Sequence, residues 1–495
     1  MKILSVEQIR KLDDYTIKHE PISSVELMER ASKAFVDWFV ERFDTSEVIA
    51  TFCGIGNNGG DGLAISRLLM AQGFSVNVFV VGNIDKASKD FSINLERLDI
   101  SYNVVQEKPD LSGTSVIIDA IFGSGLSRPI EGELAKVIGY INESTAKVVS
   151  VDIPSGLFAD QYTNNENIIR ADETVTFQLP KLAFMFPNNY KFVGDWHVVD
   201  IGLSPAFIEK ADSSFHYVTI EMVKDLLKPS SKFDHKGSNG HALIIAGAYG
   251  TIGAAIMATK AALKTGTGLL TVNVPRCGYA IIQSSIPEAM TITDSHDEYL
   301  TEPQNIDKYD ALGIGPGIGQ QPKTTKALAN ILKNAVKPLV LDADALNIIA
   351  SQSELMEIIP KKSILTPHLK EFERLFGTCE NDFKRLEKQI EIAKKHGLII
   401  ILKGAHTSIA LPEGMVYFNS TGNPGMAKGG SGDVLCGILT SLLAQGYAPE
   451  GAAIFGVYLH GMAGDLAREL KHEKSMGPTD IIEAISEAYH LIDNR

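Results

Sequence analysis

The residues with the clearest chemical potential lie in one glycine-rich stretch, Gly422–Asp433, which reads Gly-Asn-Pro-Gly-Met-Ala-Lys-Gly-Gly-Ser-Gly-Asp. Glycine and proline at this density predict a loop. The apolar residues that follow recur at helical spacing, so the loop is predicted to end at a helix N-terminus. Unpaired N–H groups and the helix dipole bind phosphate oxygens at such a position. A carboxylate placed there, Asp433, is suited to take a proton from a hydroxyl that attacks or receives a phosphoryl group.

Asp433 also fits a simpler interpretation, in which a glycine turn is followed by an ordinary helix cap. Polar or glycine-rich residues at other predicted strand ends of this half favour the phosphate site, and they include Gly313–Gly319, Asp342–Asn347, His368 and Lys403. Taken alone, a histidine after a proline is more often a turn residue, and a lysine is usually a solvated charge. A lysine and a glycine-rich helix start on one sheet edge are typical of a polyphosphate site.

A second group of polar residues follows predicted strands in the first half of the chain. Asn58 comes after the first of these strands, Asp119 ends the second, and Asp152 ends the third, shortly before Ser155. Ligands of doubly wound sheets bind outside the carboxyl ends of the strands, so we expect these residues around one crevice. Asn58, Asp119 and Ser155 offer only oxygen ligands, which suit a hard cation rather than zinc. The alternative for each aspartate is a cap of the turn that follows it.

Asp152 is the predicted acid/base residue of this first site. Burial and the nearby Asp119 are expected to raise its pKa far enough for it to shuttle a proton. The predicted turn Gly54–Gly62, before a predicted helix over Leu63–Gln72, matches G-x-G-x-x-G. The next strand has no acid at its tip to hold a ribose, which argues against dinucleotide binding in the usual redox manner.

Strands that alternate with helices must position both groups of residues. Continuous apolar runs predict strands that are buried on both faces of a sheet, at residues 48–53, 75–81, 115–119, 148–152, 242–246, 268–274, 310–315, 338–342, 363–366, 398–402 and 407–411. A polar boundary near residues 205–225 divides them. The predicted fold class is therefore α/β with two domains, at residues 1–218 and 219–495, of which the first is a Rossmann-like α/β/α sandwich.

The composition excludes several classes of protein. The chain has 495 residues and a net charge of −14, and no run of lysine and arginine offers the basic face that a nucleic-acid binder needs. Its four widely spaced cysteines form neither a zinc pattern nor a disulfide framework, which suits a reducing compartment. The N-terminus turns polar too early for a signal peptide, and no apolar run approaches membrane-spanning length. The chain is therefore predicted to be cytoplasmic.

The strand-end motifs of the first half carry a resemblance to a known family. Asn57–Gly62, Asp119–Gly125 and Val151–Gly156 resemble the NAD(P)H-hydrate epimerase family, which includes the apolipoprotein A-I binding proteins. The resemblance spans residues 1–215. It implies that the damaged cofactor is bound by Asn57, Asn58, Gly59, Gly60, Asp61, Gly123, Ser124, Gly125, Leu126, Ser127, Arg128, Pro129 and Asp152. It also implies a potassium ion held by Asn58, Asp119 and Ser155.

The second half, over residues 225–495, resembles the ribokinase-like superfamily and, within it, the ADP- or ATP-dependent NAD(P)H-hydrate dehydratases. The resemblance rests on the strand-end motifs named above and on Gly422–Asp433. It implies a ribokinase-like α/β/α domain that binds the hydrate through Ala254, Gly319, His368 and Asp433. It also implies that ADP or ATP, with Mg²⁺, is bound by Lys403, Gly404, Ala405, His406, Thr407, Asn423, Gly429, Gly430, Ser431 and Gly432.

Together the two resemblances imply a repair enzyme for NADH hydrate and NADPH hydrate. The first domain would epimerise the R and S forms, with Asp152 as acid/base. The second would phosphorylate the hydroxyl of the S form and eliminate phosphate, with Asp433 as general base. The expected partners are these small molecules and further copies of the chain in a homo-oligomer, with no nucleic acid and no membrane. Two alternatives stay open: a small-alcohol kinase, such as a hydroxyethylthiazole-type kinase, in the second half, and a nucleotide-binding module without turnover in the first.

Overall fold

The computed structural model describes residues 1–302 and 305–493 and has the predicted α/β class. It divides into two compact units, Lys2–Ser213 and a second unit formed by Met1 and the chain from Ser214 onward. The functional limits 1–218 and 219–495 stay predictions, and residues 494 and 495 lie outside the described residues. None of the described helices combines the length and the apolar character needed to cross a bilayer.

The first unit contains a parallel sheet in the order β4-β3-β2-β5-β6-β7-β8. With β1, which lies outside this sheet, the strands are β1 Lys2–Ile3, β2 Val48–Gly54, β3 Ser75–Val81, β4 Tyr102–Val104, β5 Val116–Ala120, β6 Lys147–Val151, β7 Glu173–Phe177 and β8 Asp195–Val199. The helices are α1 Val6–His19, α2 Ser24–Val40, α3 Asn57–Ala71, α4 Lys89–Glu96, α5 Gly132–Asn142, α6 Tyr190–Val193 and α7 Pro205–Lys210. The strand order reverses between β2 and β5, which places a ligand crevice at their carboxyl ends.

Helices cover both faces of this sheet. Ile118 of β5 shares a buried core with Phe39 of α2 and Leu69 of α3 on one face. Its neighbour Ile117 shares a second buried core with Ile138 of α5 on the other face. Successive side chains of a strand point to opposite faces, so both neighbours are buried only because helices lie on each side. Polar residues of the strands therefore meet a ligand at the strand ends.

The glycines that follow β2 lie inside a helix rather than in the predicted loop. The sequence predicted a loop as far as Gly62, whereas α3 begins at Asn57. A Cβ on Gly59 would lie 1.6 Å from the carbonyl oxygen of Gly54, and one on Gly62 would lie 2.6 Å from the side chain of Ala120. Glycine is needed here because α3 approaches the sheet closely, and this packing outweighs the low helix propensity of glycine.

We expect Gly59→Ala to destabilise the first unit by about 3 kcal/mol or more, because the new methyl group overlaps a backbone carbonyl. Gly56→Ala is the matched control, since a Cβ there would meet no atom within 4 Å and the backbone φ is −90°. Hydrogen–deuterium exchange of β2 and β5 measures the difference. Equal protection of these strands in the two variants would contradict the packing argument.

In the second unit the strands run in the order β9-β18-β17-β16-β15-β14-β13-β10-β11-β12. Neighbours are parallel from β16 to β12, and β17 is antiparallel to β16 and β18. The strands are β9 Phe215–Tyr217, β10 His241–Ile245, β11 Leu269–Val274, β12 Met290–Thr293, β13 Ala311–Ile314, β14 Leu339–Leu341, β15 Ile364–Leu365, β16 Ile399–Leu402, β17 Ser408–Ala410 and β18 Val416–Phe418. The helices are α8 Ile220–Leu226, α9 Ile252–Lys264, α10 Tyr279–Ser285, α11 Pro322–Asn334, α12 Asp344–Ser351, α13 Leu369–Phe376, α14 Asp382–His396, α15 Ser431–Ala444, α16 Pro449–Lys471 and α17 Pro478–Asp493.

Both faces of this second sheet are also covered by helices. Ile244 of β10 shares one buried core with Ile438 of α15. The adjacent Leu243 shares another with Leu328 of α11. The carboxyl ends of the strands are therefore the places where polar residues meet a ligand in this unit as well.

The strands that the sequence predicted are confirmed to within one residue at each end. The sequence did not predict β1, β4, β7, β8, β9, β12 or β18. Most of these lie at or next to a sheet edge, where burial is incomplete and the apolar run is interrupted. The predicted helix after the glycine loop is also confirmed, because α15 ends at Ala444, just before Gly446.

Candidate active sites

The polar edge of the second unit forms where β14, β15 and β16 end and α15 begins. Lys403, after β16, donates a hydrogen bond from its Nζ to Oδ1 of Asp342 at 2.9 Å. The backbones of His368 and Lys403 form a parallel bridge, so the ends of β15 and β16 are neighbours. A Cβ on Gly432 would lie 3.3 Å from Nζ of Lys403 and 3.5 Å from Oδ2 of Asp342. The structure therefore brings the next residue, Asp433, to the edge that carries the histidine and the lysine.

Asp433 is the third residue of α15, where backbone N–H groups have no partner within the helix. Burial, reinforced by the negative charge of Asp342 and opposed by the ammonium of Lys403, raises the pKa of Asp433 to about 6. A carboxylate with this pKa is mostly ionised at neutral pH and is more basic than an ordinary aspartate. It is suited to accept a proton from a hydroxyl held at the helix N-terminus.

The glycine loop before α15 is open to solvent. Gly430 has a φ of 101°, a left-handed conformation that favours glycine. Gly429 is exposed, and a Cβ there would meet no atom within 4 Å. Ser431 is buried, and its Oγ has no hydrogen-bond partner within the described residues. Asn423 donates a hydrogen bond to Asp465, so its amide supports the shape of the loop.

Residues 403–407 form the turn between β16 and β17. The N–H of Gly404 donates to Oγ1 of Thr407 at 3.2 Å, and that hydroxyl donates to the carbonyl of Gly404 at 3.0 Å. Gly404 and Ala405 are exposed. His406 is half-buried, and burial lowers the pKa of its ring, so it is neutral at physiological pH. The turn offers an exposed backbone next to the lysine, as expected of a nucleotide contact.

Two buried carboxylates lie next to Lys403: Asp342, which belongs to a predicted strand-end motif but was given no role, and Glu371, which was not predicted. Nζ of Lys403 lies 2.9 Å from Asp342 and 4.0 Å from Glu371. Burial lowers the pKa of the Lys403 ammonium, but these two carboxylates outweigh burial and raise it. Glu371 also forms a capping box with His368, whose N–H donates to Glu371 at 2.8 Å. The spacing of a capping box, three residues from His368 to Glu371, was the available sequence signal.

Ala254, in the first turn of α9, and Gly319, in the loop after β13, lie at the same edge. Oγ1 of Thr251, just before α9, donates to the carbonyl of Gly317 at 2.8 Å and ties the loop after β10 to the loop after β13. The N–H of Gly319 donates to Oδ2 of Asp344 at 2.9 Å. The negative charge of Asp344 also helps to raise the pKa of the aspartate in α15. The predicted hydrate residues of this unit are therefore brought together.

In the first unit, Asp152 follows β6 with a φ of 67°, which is rare for a residue with a side chain. Its Oδ1 lies 2.8 Å from Nζ of Lys181, and both residues are buried. Thr176 contacts both: Nζ of Lys181 donates to Oγ1 of Thr176 at 2.8 Å, and that hydroxyl donates to Asp152 at 3.2 Å. A strained backbone that carries a buried ion pair at a strand end is typical of a functional site.

The prediction that burial and Asp119 raise the pKa of Asp152 is wrong. Burial does raise it, but the ammonium of Lys181 and hydrogen bonds from Phe177 and Thr176 outweigh burial, and the pKa lies below its ordinary value. Asp152 is therefore ionised at neutral pH, the state that a base requires. Sequence reasoning assigned no role to Lys181, which follows β7, a strand that was itself not predicted.

Asp119 and Ser155 lie in direct contact at the ends of β5 and β6. Oγ of Ser155 donates to Oδ1 of Asp119 at 2.6 Å, and its N–H donates to Oδ2 at 2.8 Å. The hydroxyl of Ser150 also donates to Oδ2, at 2.8 Å. Asp119 is fully buried, and burial raises its pKa despite these hydrogen bonds. In the part of the chain that the structure describes, Asp119 forms no ion pair.

Asn58 lies in the first turn of α3, next to the loop that follows β5. A Cβ on Gly123 would lie 3.2 Å from Oδ1 of Asn58. The Nδ2 of Asn58 is buried and has no hydrogen-bond partner among the residues described. Because the oxygen and nitrogen of an amide exchange places by rotation, this side chain can also direct its oxygen to that position.

The other predicted substrate residues of the first unit differ in their surroundings. Gly59 and Gly60 are buried in the packing of α3, and a Cβ on Gly60 would lie 2.8 Å from a methionine sulfur. Asn57 and Ser127–Pro129 are exposed and open to a ligand. Burial and the negative charges of neighbouring aspartates raise the pKa of Asp61 well above its ordinary value.

Comparison with known proteins matches the two halves of the chain to two different families. The family described as YjeF-related protein N-terminus matches residues 24–183, and the family described as NAD(P)H-hydrate dehydratase matches residues 242–487. The bifunctional NAD(P)H-hydrate repair enzyme Nnr of Moorella thermoacetica is 35% identical over 510 residues, covering 98% of this chain and 96% of that protein. The enzyme of the same name from Escherichia coli K12 is 32% identical over 469 residues, covering 93% and 88%.

Solved structures confirm the ribokinase-like fold predicted for the second half. The ADP/ATP-dependent NAD(P)H-hydrate dehydratase from Bacillus subtilis, co-crystallised with ATP/Mg²⁺, has a TM-score of 0.50 at 30% identity and covers 56% of this chain and 98% of that one. A ribokinase-like superfamily protein from Enterococcus faecalis has a TM-score of 0.51 at 28% identity, covering 58% and 99%. Since curated relatives are matched over almost their whole length, this chain belongs to the family of bifunctional NAD(P)H-hydrate repair enzymes.

Proposed function

We propose that this chain repairs hydrated NADH and NADPH in two steps, one in each unit. The first unit interconverts the R and S forms of the hydrate. The second phosphorylates the hydroxyl of the S form with ADP or ATP and eliminates phosphate, which restores the reduced cofactor. The observation that carries the proposal is the placement of Asp433, with its pKa of about 6, at the N-terminus of α15 beside Lys403 and Asp342.

This placement suits phosphorylation of a hydroxyl. The Asp433 carboxylate takes the proton of the hydroxyl as the oxygen attacks the terminal phosphorus of the nucleotide. The N–H groups of Gly429–Gly432 stabilise the charge on the transferred phosphoryl group. Phosphate leaves a carbon far more easily than hydroxide does at neutral pH, so elimination follows.

The position of Lys403 supports binding of the nucleotide at the adjacent turn. Its ammonium is held by two carboxylates at the loop that would receive phosphates. Within the described ranges, no cluster of three or more His, Cys, Asp or Glu side chains is arranged to hold a metal. This agrees with Mg²⁺ bound mainly by nucleotide phosphates and water rather than in a protein cage.

We propose potassium as the ion of the first unit, held by Asn58, Asp119 and Ser155. Asp119 is a buried carboxylate without a cationic partner among the described residues, and the Asn58 amide next to the loop after β5 has an unpaired buried atom. A monovalent cation would supply the missing positive charge. The role of these residues is to fix the loops after β5 and β6, which carry the hydrate.

Asp119→Asn keeps the shape of the side chain and removes its charge. We expect it to lower the affinity for potassium by about tenfold or more, because the charge attraction is lost in a buried site. Potassium-dependent stabilisation of the first unit, followed by hydrogen–deuterium exchange of β5 and β6, measures the change without relying on activity. Dehydration of the S hydrate is the control and should be unaltered. An unchanged potassium titration would remove Asp119 from the ion site.

The proposed function is tested by incubating NADH hydrate with the full chain, Mg²⁺ and either ADP or ATP. We expect the absorbance of the reduced nicotinamide to return and free phosphate to appear, from both epimers. The same assay addresses the alternative of a small-alcohol kinase, which would instead leave a stable phosphoester. Loss of only the S form, with the R form left behind, would contradict the epimerase role of the first unit.

We further propose that the enzyme acts in the cytoplasm as a homo-oligomer. The four cysteines are free, which supports a reducing compartment. Light scattering of the purified chain measures the oligomeric state, and a monomer at working concentration would contradict that part of the proposal.

A further inference from the structure

Helix α1 borders the site around Asp152, although none of its residues was predicted to belong there. Nη2 of Arg10 donates to the carbonyl of Gly125 at 3.4 Å, in the loop that follows β5. At the start of the helix, the N–H of Val6 donates to Asp160 at 2.6 Å, and the charge of Lys181 acts on that same carboxyl. The helix therefore runs past both the predicted substrate loop and the Asp152–Lys181 ion pair.

Asp13 lies on the face of α1 that Arg10 occupies, since residues three apart are neighbours on a helix. Asp13 is half-buried, whereas the adjacent Asp14 is exposed. Within the described residues, no group donates a hydrogen bond to the carboxyl of Asp13 and no cation pairs with it. A partly buried carboxyl without partners costs free energy, so its presence indicates a role other than stability.

The charges that act on Asp13 come from the neighbouring strand ends and from its own helix. The pKa of Asp13 is raised to about 7, mainly by burial and next by the negative charge of Asp152. The positive charge of Lys181 lowers this pKa, and the negative charge of Asp14 raises it by the smallest amount. Asp13 is therefore close to half protonated at neutral pH. Asp152, stabilised by Lys181, is ionised under the same conditions.

A third carboxyl, that of Asp61, is also influenced by the charges of Asp13 and Asp152. Burial and the negative charges of Asp152, Asp13 and Asp90 raise the pKa of Asp61 well above its ordinary value. Asp61 is therefore a weaker acid than an ordinary aspartate. A group that must give and regain a proton works best when its pKa is close to the working pH, and Asp13 meets this condition.

We propose that Asp13 is the proton donor of epimerisation and acts together with Asp152. This assignment rests on the epimerase function proposed above and adds a second catalytic residue to it. The geometry that supports it is the contact of α1 with the substrate loop and the half-buried position of Asp13 one turn after Arg10. The charges of Asp152 and Lys181, which form an ion pair at 2.8 Å, act on Asp13.

The chemistry of the hydrate explains why two such groups are needed. A dihydronicotinamide is an enamine, which takes a proton on its β-carbon and water on its α-carbon, so the hydroxyl is on the carbon bonded to the ring nitrogen. To invert this carbon, the C–O bond breaks and its electron pair leaves with the oxygen, which takes the proton of Asp13 and departs as water. The lone pair of the ring nitrogen forms a C=N bond, and the cation is stabilised by the Asp152 carboxylate.

The second half of the reaction restores the hydrate with the opposite configuration. Water adds to the other face of the same carbon, the C=N electron pair returns to nitrogen, and Asp152 accepts the proton that the water loses. One water has left and one has entered, and one proton has moved from Asp13 to Asp152. Because the pKa of Asp152 is low, the proton returns to Asp13 through water, and the pair is ready for the next turnover.

The test follows epimerisation in the full chain without nucleotide, starting from hydrate enriched in the R form and separating the two forms by chromatography. In the unaltered protein, kcat/KM should fall as pH rises through about 7, because Asp13 must carry its proton. Asp13→Asn should lower kcat by about a hundredfold or more and abolish this pH dependence. Asp13→Glu should recover part of the rate together with the fall at higher pH.

Asp14→Asn is the matched control on the same helix. It should keep the rate and shift the fall in kcat/KM slightly towards lower pH, because one minor negative charge is removed. Hydrogen–deuterium exchange of α1 identifies a variant that has lost its fold, in which case the pH profile of Asp13→Glu decides. Asp13→Asn with an unaltered rate and pH profile would overturn the proposal. If the unaltered chain equilibrates the two forms no faster than they do spontaneously, the epimerase function itself fails, which is a separate result.

Discussion

Asp433→Asn is expected to slow dehydration of the S hydrate by about a hundredfold or more, the usual scale for the loss of a general base. Asparagine keeps the size of the side chain but cannot accept the proton of the attacking hydroxyl. Nucleotide affinity should change little, because the backbone N–H groups of Gly429–Gly432 and the turn after Lys403 are left in place. Single-turnover recovery of reduced-nicotinamide absorbance measures the rate, and calorimetry measures nucleotide binding.

The pKa of Asp433 also fixes the direction of the pH dependence. A general base works in its ionised form, so the dehydration rate should rise as the pH passes through about 6 and level off only well above that pH. The Asp433→Asn variant should show no rise around that pH. Glu450→Gln is the control, since it removes a partly exposed carboxylate at the start of α16 that pairs with the exposed Lys362. Turnover of Asp433→Asn close to that of the control would remove Asp433 from the mechanism.

Asp152→Asn should abolish epimerisation and also destabilise the first unit, by about 3–5 kcal/mol, the cost of leaving one member of a buried ion pair unpaired. Lys181 is 2% exposed and has Asp152 as its ion-pair partner, so the variant leaves a buried ammonium without a negative partner. Hydrogen–deuterium exchange of β6 and β7 measures the loss of stability. The dehydratase activity of the second unit is the internal control and should persist.

A double variant separates the two effects of losing Asp152. Asp152→Asn combined with Lys181→Met removes both charges and keeps the volume, so most of the lost stability should return. Epimerisation should stay at its spontaneous rate, because the base is still missing. If the double variant folds and epimerises normally, Asp152 is structural. If the single variant keeps full protection of β6 and β7, the ion pair contributes little to the fold.

The sequence by itself determined the two sheets and the ends at which chemistry takes place. In parallel sheets that are covered on both faces, strands read as continuous apolar runs, and the predicted strands agree with the structure to within one residue. The candidate site residues lie at or just after the carboxyl ends of those strands, as with Asp119, Ser155 and Lys403, or in the first turn of a helix after a glycine loop, as with Asp433. These are local patterns, so spacing along the chain is enough to find them.

The tertiary structure decided what local spacing does not encode. The low pKa of Asp152 depends on Lys181, which reaches it from the end of a neighbouring strand, and Asp13 enters the same cluster from helix α1. The start of α3 at Asn57 depends on how closely that helix approaches the sheet. Burial and neighbouring charges set a pKa, and interatomic contact sets a helix boundary. Both arise between segments distant in sequence, which meet only when the sheet is assembled.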